Sequence, residues 1–329
     1  MKTSSSSSFN PRSSCAVPLG FAFMYLAWGA TYLGVKFAIV DLPVFLMSGG
    51  RFFLAGVLLL AGVALFDRAG FRRGTLREWR DAAAVGLLLL VFGIGTGNWT
   101  QQYVSSSFAA MVFSGVPLWI IAIDWLRPGG RAPTRTVAAG LLLGFAGIGL
   151  ILAPGAGSGG SVQPVHVGIS LLLVLASVAW AGGAISSRHV QARGSALLAT
   201  ARQMIVAGAA LLLAGVIHGD IARVDLATVR TSAWLGFGYL VVIGSLGGYP
   251  VYLWLMRTCP PAKAATIPYV NLLVAVFLGW TLGHETITPR LLVGTAIVLV
   301  SVALVLRART TSVPADSPDA SITLAVAGD

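Results

Sequence analysis

Long apolar runs, separated by short polar stretches, make up most of this chain. A helix needs roughly 20 mostly apolar residues to cross about 30 Å of hydrocarbon, and ten runs approach that length. We therefore predict an all-α integral membrane protein of about ten transmembrane helices, with nothing left over for a soluble domain. The predicted spans are Pro18–Val40, Val44–Phe66, Ala82–Trp99, Phe108–Leu126, Val137–Ala153, Val167–Ser187, Ala196–Ile217, Ala233–Met256, Ala264–Leu282 and Leu291–Leu306.

The composition excludes a water-facing surface. Of the 329 residues, 56% are hydrophobic and only 10% are charged, whereas a soluble domain carries about 25% charged residues. A net charge of +11 would suggest nucleic acid as the partner of a soluble protein. Here the basic residues lie in short loops between apolar runs, so we expect membrane lipid, and no nucleic acid, as the surroundings of this chain.

The basic residues also predict the orientation. With the N-terminus placed inside, sixteen Lys and Arg residues fall on the inner side and only Arg223, Arg230 and Arg290 on the outer side. Positive residues favour the cytoplasmic side of a membrane. We predict a multi-pass protein of a bacterial inner (plasma) membrane, with polar tails at 1–17 and 307–329 that are both cytoplasmic.

The chain divides into two similar halves of five spans, predicted at 18–153 and 167–306 and joined by a periplasmic linker at 154–166. The first span of one half contains Trp28-Gly-Ala, and that of the other contains Trp180-Ala-Gly. Because each half has an odd number of spans, the second is predicted to be inverted relative to the first. Inverted repeats are a recurring plan of transporters, with the substrate held between the halves.

Several motifs follow one another in a specific order across these spans. They are Trp28-Gly-Ala-Thr-Tyr with Lys36, Asp41-Leu-Pro, Arg51-Phe-Phe-Leu-Ala-Gly, Gly97-Asn98, Ala109-Ala110 with Pro117, Gly238-Tyr-Leu, Tyr269-Val-Asn271 and Gly283-His-Glu285. In this order they resemble the EamA family of the drug/metabolite transporter superfamily, and within it the YedA-like inner-membrane exporters. The resemblance implies a ten-helix, two-repeat fold and the transport, often the export, of metabolites. One departure is Leu272, which stands where the family usually has a proline.

Two features indicate where a substrate would bind. Trp28, Tyr32 and Lys36 are spaced so that they share one helix face. The third span of each half is interrupted by glycines, and such paired interruptions point to a transporter's binding site. Close helix packing through small residues is the alternative explanation of the glycines, and an interfacial aromatic belt is the alternative for Trp28. The predicted substrate-binding residues are Trp28, Tyr32, Asn98, Gln101, Tyr249, Tyr252 and Asn271.

Three charged residues are candidates for gating or coupling. Arg51 lies deep in the second span, where a charge is costly and usually faces a cavity or a partner. Lys36 and Glu285 lie near the outer ends of the first and ninth spans. We predict that these two pair as an outer gate, with Arg51 as a competing partner for the carboxylate, and that protonating Glu285 would release the gate.

The function predicted from these features is a secondary transporter, an exporter of small metabolites or drugs that works by alternating access. The substrate is a small molecule, a proton is a candidate coupling ion, and a homodimer is an open alternative. The chain has no Walker-type phosphate loop, and neither its two cysteines nor its four histidines have metal-ligand spacing, so we expect no cofactor. A membrane-embedded enzyme would need clustered catalytic groups, and a purely structural membrane protein would not explain Arg51. We therefore expect that the chain is not an enzyme.

Overall fold

The computed structural model describes residues 11–66, 74–127, 132–152, 164–191, 195–259 and 267–311. In these ranges the chain forms ten helices and no strand, as predicted. Eight of them are long and apolar enough to cross a membrane, and the other two contain the shorter apolar segments Ile267–Thr281 and Pro289–Val305. The helices are α1 (Pro11–Gly29, continued by Thr31–Ala38), α2 (Val44–Phe66), α3 (Leu76–Thr100), α4 (Ser106–Leu126), α5 (Arg135–Leu152), α6 (Pro164–Gln191), α7 (Ala196–His218), α8 (Thr231–Tyr239, Leu240–Gly247 and Gly248–Thr258), α9 (Ile267–Thr281) and α10 (Pro289–Thr311).

Helix α3 begins six residues before the predicted span, inside the stretch predicted to be a loop. Thr75 caps it: the Glu78 N–H donates to Thr75 Oγ1 at 3.3 Å, and the Thr75 N–H donates to Glu78 Oε2 at 2.7 Å. This reciprocal pair is a capping box, which satisfies two donors at a helix start. The Thr-x-x-Glu motif is present in the sequence. The span was predicted from apolar residues alone, and the first residues of this helix are charged, so the motif was not used.

Helices α1 and α10 extend beyond their apolar cores. Helix α1 begins at Pro11 and α10 continues to Thr311, so each enters a segment predicted to be a polar tail. A helix needs no apolar residues once it has left the hydrocarbon, because water then satisfies its terminal groups. The predicted first residues of the ninth span, 264–266, lie outside the described residues.

Two pairs of helices form a closely packed frame. Helix α2 packs along α7, and α5 packs along α10, so each helix contacts its counterpart from the other half. A Cβ atom on Gly49 would come within 2.6 Å of the Leu212 backbone nitrogen, and one on Gly56 within 2.8 Å of the Ile205 nitrogen. Close packing through small residues is thus the role of these glycines.

The other helices contact each other across the two halves in matching combinations. Helix α1 packs against α8 and α9, and α6, its counterpart, packs against α3 and α4. Four of these helices are irregular. The wider π-helical turns Leu87–Gly95 in α3 and Leu240–Gly247 in α8 occur in the third helix of each half. Helix α1 is interrupted at Ala30, and α4 is interrupted just before Pro117.

The ninth helix has no such interruption. Helix α9 continues from Ile267 to Thr281 through Leu272, which is 2% exposed. A proline at that position would remove a backbone hydrogen bond and loosen the helix. Leucine keeps it intact, so the interruption near Pro117 has no equivalent at this point of α9.

Gly208 provides a test of the α2–α7 frame. A Cβ atom there would collide with the backbone of Phe53, so we expect Gly208→Ala to lower the free energy of unfolding by about 1–3 kcal/mol through overpacking. The measurement is the melting temperature of the purified protein in detergent. Gly62→Ala in α2 is the matched control, because its Cβ would have no neighbour within 4 Å. Equal melting temperatures of the two variants would contradict this packing.

Candidate substrate site

The interruption of α1 and the π-helical segment of α8 meet at Trp28. The indole Nε1–H donates to the Gly244 carbonyl at 3.2 Å, a carbonyl within the π-helical segment. Gly248 leaves room for the indole, since a Cβ atom at that position would collide with Nε1. The Thr31 hydroxyl donates to the Trp28 carbonyl at 2.6 Å and satisfies it beside the break in α1.

Two tyrosines complete an aromatic cluster with Trp28. The ring centroids of Tyr249 and Tyr252 lie 5.6 Å and 5.1 Å from the indole, within the range of favourable aromatic pairs. All three side chains are half-buried. The structure therefore brings together three of the predicted substrate-binding residues, and we call Trp28, Tyr249 and Tyr252 the aromatic cluster.

Arg51 lies beside this cluster in the interior of the bundle. Its side chain projects from α2, and the residue is 5% exposed. The guanidinium Nε–H donates to Ser245 Oγ at 3.0 Å, and Nη2 lies 3.3 Å from the position that a Cβ atom on Gly244 would occupy. Arg51 thus contacts Ser245 and Gly244 of α8 and also lies over the Phe52 ring, 4.9 Å from its centroid. That Arg51 competes for Glu285 stays a prediction.

Two predicted polar residues come from α3. Asn98 is buried and donates through Nδ2 to Ser48 Oγ of α2 at 3.0 Å. The carbonyl oxygen of the Gln101 side chain is buried with no hydrogen-bond partner among the described residues. Near the same helix, the α6 residue Trp180 packs on Gly93 of the π-helical segment. This contact corresponds to that of Trp28 with the π-helical segment of α8.

The other two predicted substrate-binding residues connect helices. Tyr32 packs against the apolar core that includes Phe108 of α4. Asn271 is buried, and its amide nitrogen, when turned toward them, donates to the carbonyls of Met24 at 3.1 Å and Tyr25 at 3.2 Å. The amide thus joins α9 to α1. These two residues are in contact with neighbouring helices and do not belong to the aromatic cluster.

Glu285 is held at the start of α4. Its Oε1 accepts from the Ser106 N–H at 2.8 Å and the Ser106 hydroxyl at 2.7 Å, and its Oε2 accepts from the Ser107 N–H at 2.9 Å and hydroxyl at 2.5 Å. The first N–H groups of a helix have no partner within the helix, and the helix dipole favours a negative charge there. The carboxylate therefore completes the N-terminus of α4.

A sharp turn at the end of α9 places this carboxylate. His284 has a φ of +50°, the one positive φ of a non-glycine residue in the described ranges, and the Glu285 N–H returns to the Gly279 carbonyl at 2.9 Å. A Cβ atom on Gly279 would lie 2.6 Å from Glu285 Oε2. Glycine at that position is what lets the carboxylate lie against α9.

Lys36 joins the end of α1 to the same group. Its Nζ donates to Glu285 Oε1 at 3.0 Å and to the Gly283 carbonyl at 2.6 Å. The clasp, as we call Lys36, Glu285, Ser106 and Ser107, connects α1, α4 and the α9–α10 loop. It lies at the end of the bundle opposite the start of α1 and the end of α10. A second ion pair, Arg230 with Asp41 at 2.9 Å, joins the α1–α2 loop to the start of α8 at that end.

Within the clasp, Glu285 is ionised at neutral pH. Burial raises the pKa of Glu285, but the hydrogen bonds from Ser107, Ser106 and Lys36 together outweigh burial and hold the pKa below its ordinary value. The hydrogen bond from Arg230 likewise lowers the pKa of Asp41. Stability from a carboxylate with a lowered pKa is present above its ordinary pKa and is lost as the pH falls through the folded-state value. Mild acidification therefore leaves these contacts intact.

Sequence reasoning missed the serines. The run of Ser105, Ser106 and Ser107 precedes the first apolar residue of the predicted fourth span, which is the usual place of a helix cap. Ser105 does cap α4, since its Oγ accepts from the Phe108 N–H at 3.1 Å. Nothing in the sequence links the next two serines to a carboxylate 178 positions away. Ser245, the partner of Arg51, is one small residue among several in α8.

A depression of about 230 Å³ opens beside the clasp end of the bundle. It is lined by the α1–α2 loop, the end of α3 and the end of α7, and it contains none of the predicted substrate-binding residues. Among the described residues, no group of three His, Cys, Asp or Glu side chains could hold a metal ion. We take the aromatic cluster with Arg51 as the candidate solute site, because it combines three of the predicted substrate-binding residues with a buried guanidinium.

Comparison with known families identifies the chain. The EamA-like transporter family matches residues 17–153 and again residues 167–307. The chain belongs to this family. The two matches confirm the two-repeat architecture and the resemblance seen in the sequence, and they show a multi-pass membrane transporter rather than an enzyme.

Named relatives and a solved structure agree with this assignment. The "Uncharacterized inner membrane transporter YedA" of Escherichia coli strain K12 is 32% identical over 86% of this chain and 88% of its own. The "Uncharacterized transporter YvbV" of Bacillus subtilis strain 168 is 26% identical over 86% and 89%. The "S-adenosylmethionine/S-adenosylhomocysteine transporter" of Chlamydia muridarum is 26% identical over 80% and 83%. A crystal structure 20% identical in sequence shares the fold, with a TM-score of 0.62 over 91% of this chain and 99% of that one.

Proposed function

We propose that the protein is a secondary transporter that exports small organic solutes across a bacterial inner membrane by alternating access. The observation that carries this proposal is the aromatic cluster beside Arg51, where α1 and α8 are both irregular. Backbone that departs from the α-helix is tolerated at membrane depth only where it is buried in protein or lines a cavity. The relative named as an inner membrane transporter and the relative named for two small solutes support the membrane and the size of the substrate.

The correspondence between the halves supports alternating access. Trp28 contacts the π-helical segment of α8, and Trp180 contacts that of α3. If the second half is inverted, as the odd number of helices in each half requires, these two contacts lie on opposite sides of a central axis. Rocking of one half against the other would then expose the site to each side of the membrane in turn.

We propose that the clasp is the outer gate. It connects the ends of α1, α4 and α9, so that separating these helices requires breaking the Lys36–Glu285 contact. The lowered pKa of Glu285 bears on the coupling. At neutral pH the hydrogen bonds of the clasp keep Glu285 ionised. Glu285 would therefore be protonated only after these hydrogen bonds have broken, so protonation would follow opening of the gate rather than cause it.

The proposed site is tested by untargeted comparison of the metabolites that bacterial cells release into the medium. At least one metabolite is expected to accumulate outside cells that express the protein and to fall at least about tenfold with Trp28→Ala, since a loss of about 1.4 kcal/mol in binding is tenfold. Trp234→Ala is the matched control, because this tryptophan of α8 is 43% exposed and lies outside the cluster. If cells that express Trp28→Ala release as much of the metabolite as cells that express the unsubstituted protein, the proposed site is wrong.

The gate is tested by the labelling of a cysteine. Cys15→Ser and Cys259→Ser first remove the two native cysteines. Thr31→Cys then introduces a single cysteine, which is treated with a membrane-impermeant maleimide. Lys36→Met is expected to raise the labelling rate about fivefold, the change that corresponds to a partly exposed ion pair of about 1 kcal/mol. Arg223→Met, which removes a 62% exposed cation at the same end, is expected to change nothing. Equal rates with and without Lys36 would show that the clasp is not a gate.

The orientation has its own test. We propose that both termini are cytoplasmic, because the excess of Lys and Arg then lies inside. A reporter that is active only in the cytoplasm, fused after Asp329, is expected to be active, and the same reporter inserted between Thr228 and Val229 in the α7–α8 loop is expected to be inactive. The reverse pattern would overturn the orientation and would place the clasp at the inner side.

A further inference from the structure

Arg51 is a buried cation without an acidic partner among the described residues. Three other basic residues of the described ranges do have an acidic partner: Lys36 contacts Glu285, Arg230 contacts Asp41 and Arg202 contacts Glu78. None of these ion pairs includes Arg51, although that residue is 5% exposed. A buried charge is costly unless it is paired, so the position calls for an anion that the described residues do not provide.

The guanidinium has donors to offer such an anion. Of its five N–H donors, the hydrogen bond to Ser245 Oγ uses the one on Nε. Nη2 reaches toward Gly244, whose carbonyl accepts the hydrogen bond from Trp28. A Cβ atom on Gly244 would lie 3.2 Å from Thr31 Cγ2 and 3.3 Å from Arg51 Nη2, so these Nη donors lie next to the turn of α1 that follows Trp28. The fork of Nη donors matches the geometry of a carboxylate.

An apolar surface lies next to these donors. The rings of Trp28, Tyr249 and Tyr252 form the aromatic cluster, and Gly244, which accepts the hydrogen bond from Trp28, also lies next to Arg51 Nη2. Aromatic rings provide a large apolar contact with a defined geometry. A ligand that fits both features has an anionic end and a flat apolar body.

The second half of the chain lacks the charge. The motif Arg51-Phe-Phe-Leu-Ala-Gly in α2 corresponds to Gln203-Met-Ile-Val-Ala-Gly in α7. Gln203 is 5% exposed, and its side-chain nitrogen has no hydrogen-bond partner among the described residues. An amide donates hydrogen bonds but cannot balance a charge, so these two corresponding positions offer one cation and suit one negative charge.

We propose that Arg51 is the anion receptor of the transport site and that the substrates are small amphipathic carboxylates. The carboxylate pairs with the Nη donors of Arg51, and the flat apolar part of the solute lies against the aromatic cluster. This proposal rests on the proposed function and adds the chemical class of the substrate. Organic cations of the same shape are excluded, because their charge would be buried next to a guanidinium.

The experiment measures binding of solutes that differ only in charge. The full-length protein, purified in detergent, is titrated by calorimetry with 3-phenylpropionate, 3-phenylpropionamide and 3-phenylpropylamine, and then with indole-3-acetate and indole-3-acetamide. Each acid is expected to bind at least about tenfold more tightly than its amide, because charge-assisted bidentate hydrogen bonds are the strong ones, and the amine is expected not to bind. Equal affinity of acid and amide in both pairs would overturn the proposal without any substitution.

Variants then assign the preference to Arg51. Arg51→Gln is expected to bind acid and amide equally, and Arg51→Lys is expected to keep a reduced preference for the acid, since it retains the charge without the planar fork. Arg202→Gln is the matched control: this second buried arginine contacts Glu78, and its loss is expected to leave the preference unchanged. A preference that persists in folded Arg51→Gln, or that disappears in Arg202→Gln, would overturn the assignment. If Arg51→Gln does not fold, the Arg51→Lys variant tests the assignment instead. If Arg51→Lys still prefers the acid over the amide as strongly as the unsubstituted protein does, bidentate binding by Arg51 is wrong.

Transport in proteoliposomes separates this proposal from the function on which it rests. Uptake of the acids but not of the amine, lost in Arg51→Gln, supports both. Uptake of the amide or amine without uptake of the acids would overturn the anion receptor and leave the transporter standing. Selective binding of the acids with no uptake of any probe would support the receptor and count against transport.

Discussion

The constraint on which this structure depends is that a peptide group within lipid must find its hydrogen-bond partner inside the protein. Regular helices meet it without help, and the paired helices α2 with α7 and α5 with α10 are of this kind. Helices α1, α3, α4 and α8 do not, because each contains a break or a π-helical segment. Groups from the protein serve the places where helices break or begin: Trp28 reaches the Gly244 carbonyl, and Glu285 accepts from the first N–H groups of α4.

Much of the fold could be predicted because a membrane helix depends mainly on the local sequence. An apolar run predicts a span wherever it stands, and the bounds of α2 were predicted to the residue. The predicted start of α3 was wrong because the helix begins with the charged segment from Leu76 to Asp81. A cap, rather than burial, stabilises this segment. Hydropathy measures transfer to lipid, and a helix start outside the hydrocarbon is decided by hydrogen bonds instead.

The candidate site was only partly predictable, for a different reason. Spacing along one helix indicates which residues share a face, as with Trp28 and Lys36, and paired glycines indicate an irregular segment. Spacing does not indicate which partner a face will contact. Tyr32 shares the face of Trp28 but packs on the α4 core, and Asn271 turns to the carbonyls of α1. The partner of Arg51 depends on a contact between residues 194 positions apart, which no local pattern contains.

The π-helical segment of α8 determines the direction in which the side chains after it leave the helix. Its turns are wider than those of an α-helix, so Tyr249 and Tyr252 emerge at an angle that a regular helix of the same length would not give them. Each residue of an α-helix advances about 100° around the axis. Removing one residue between Leu240 and Gly247 would therefore swing both tyrosines about a quarter turn away from Trp28, although every residue of the aromatic cluster would still be present in the sequence.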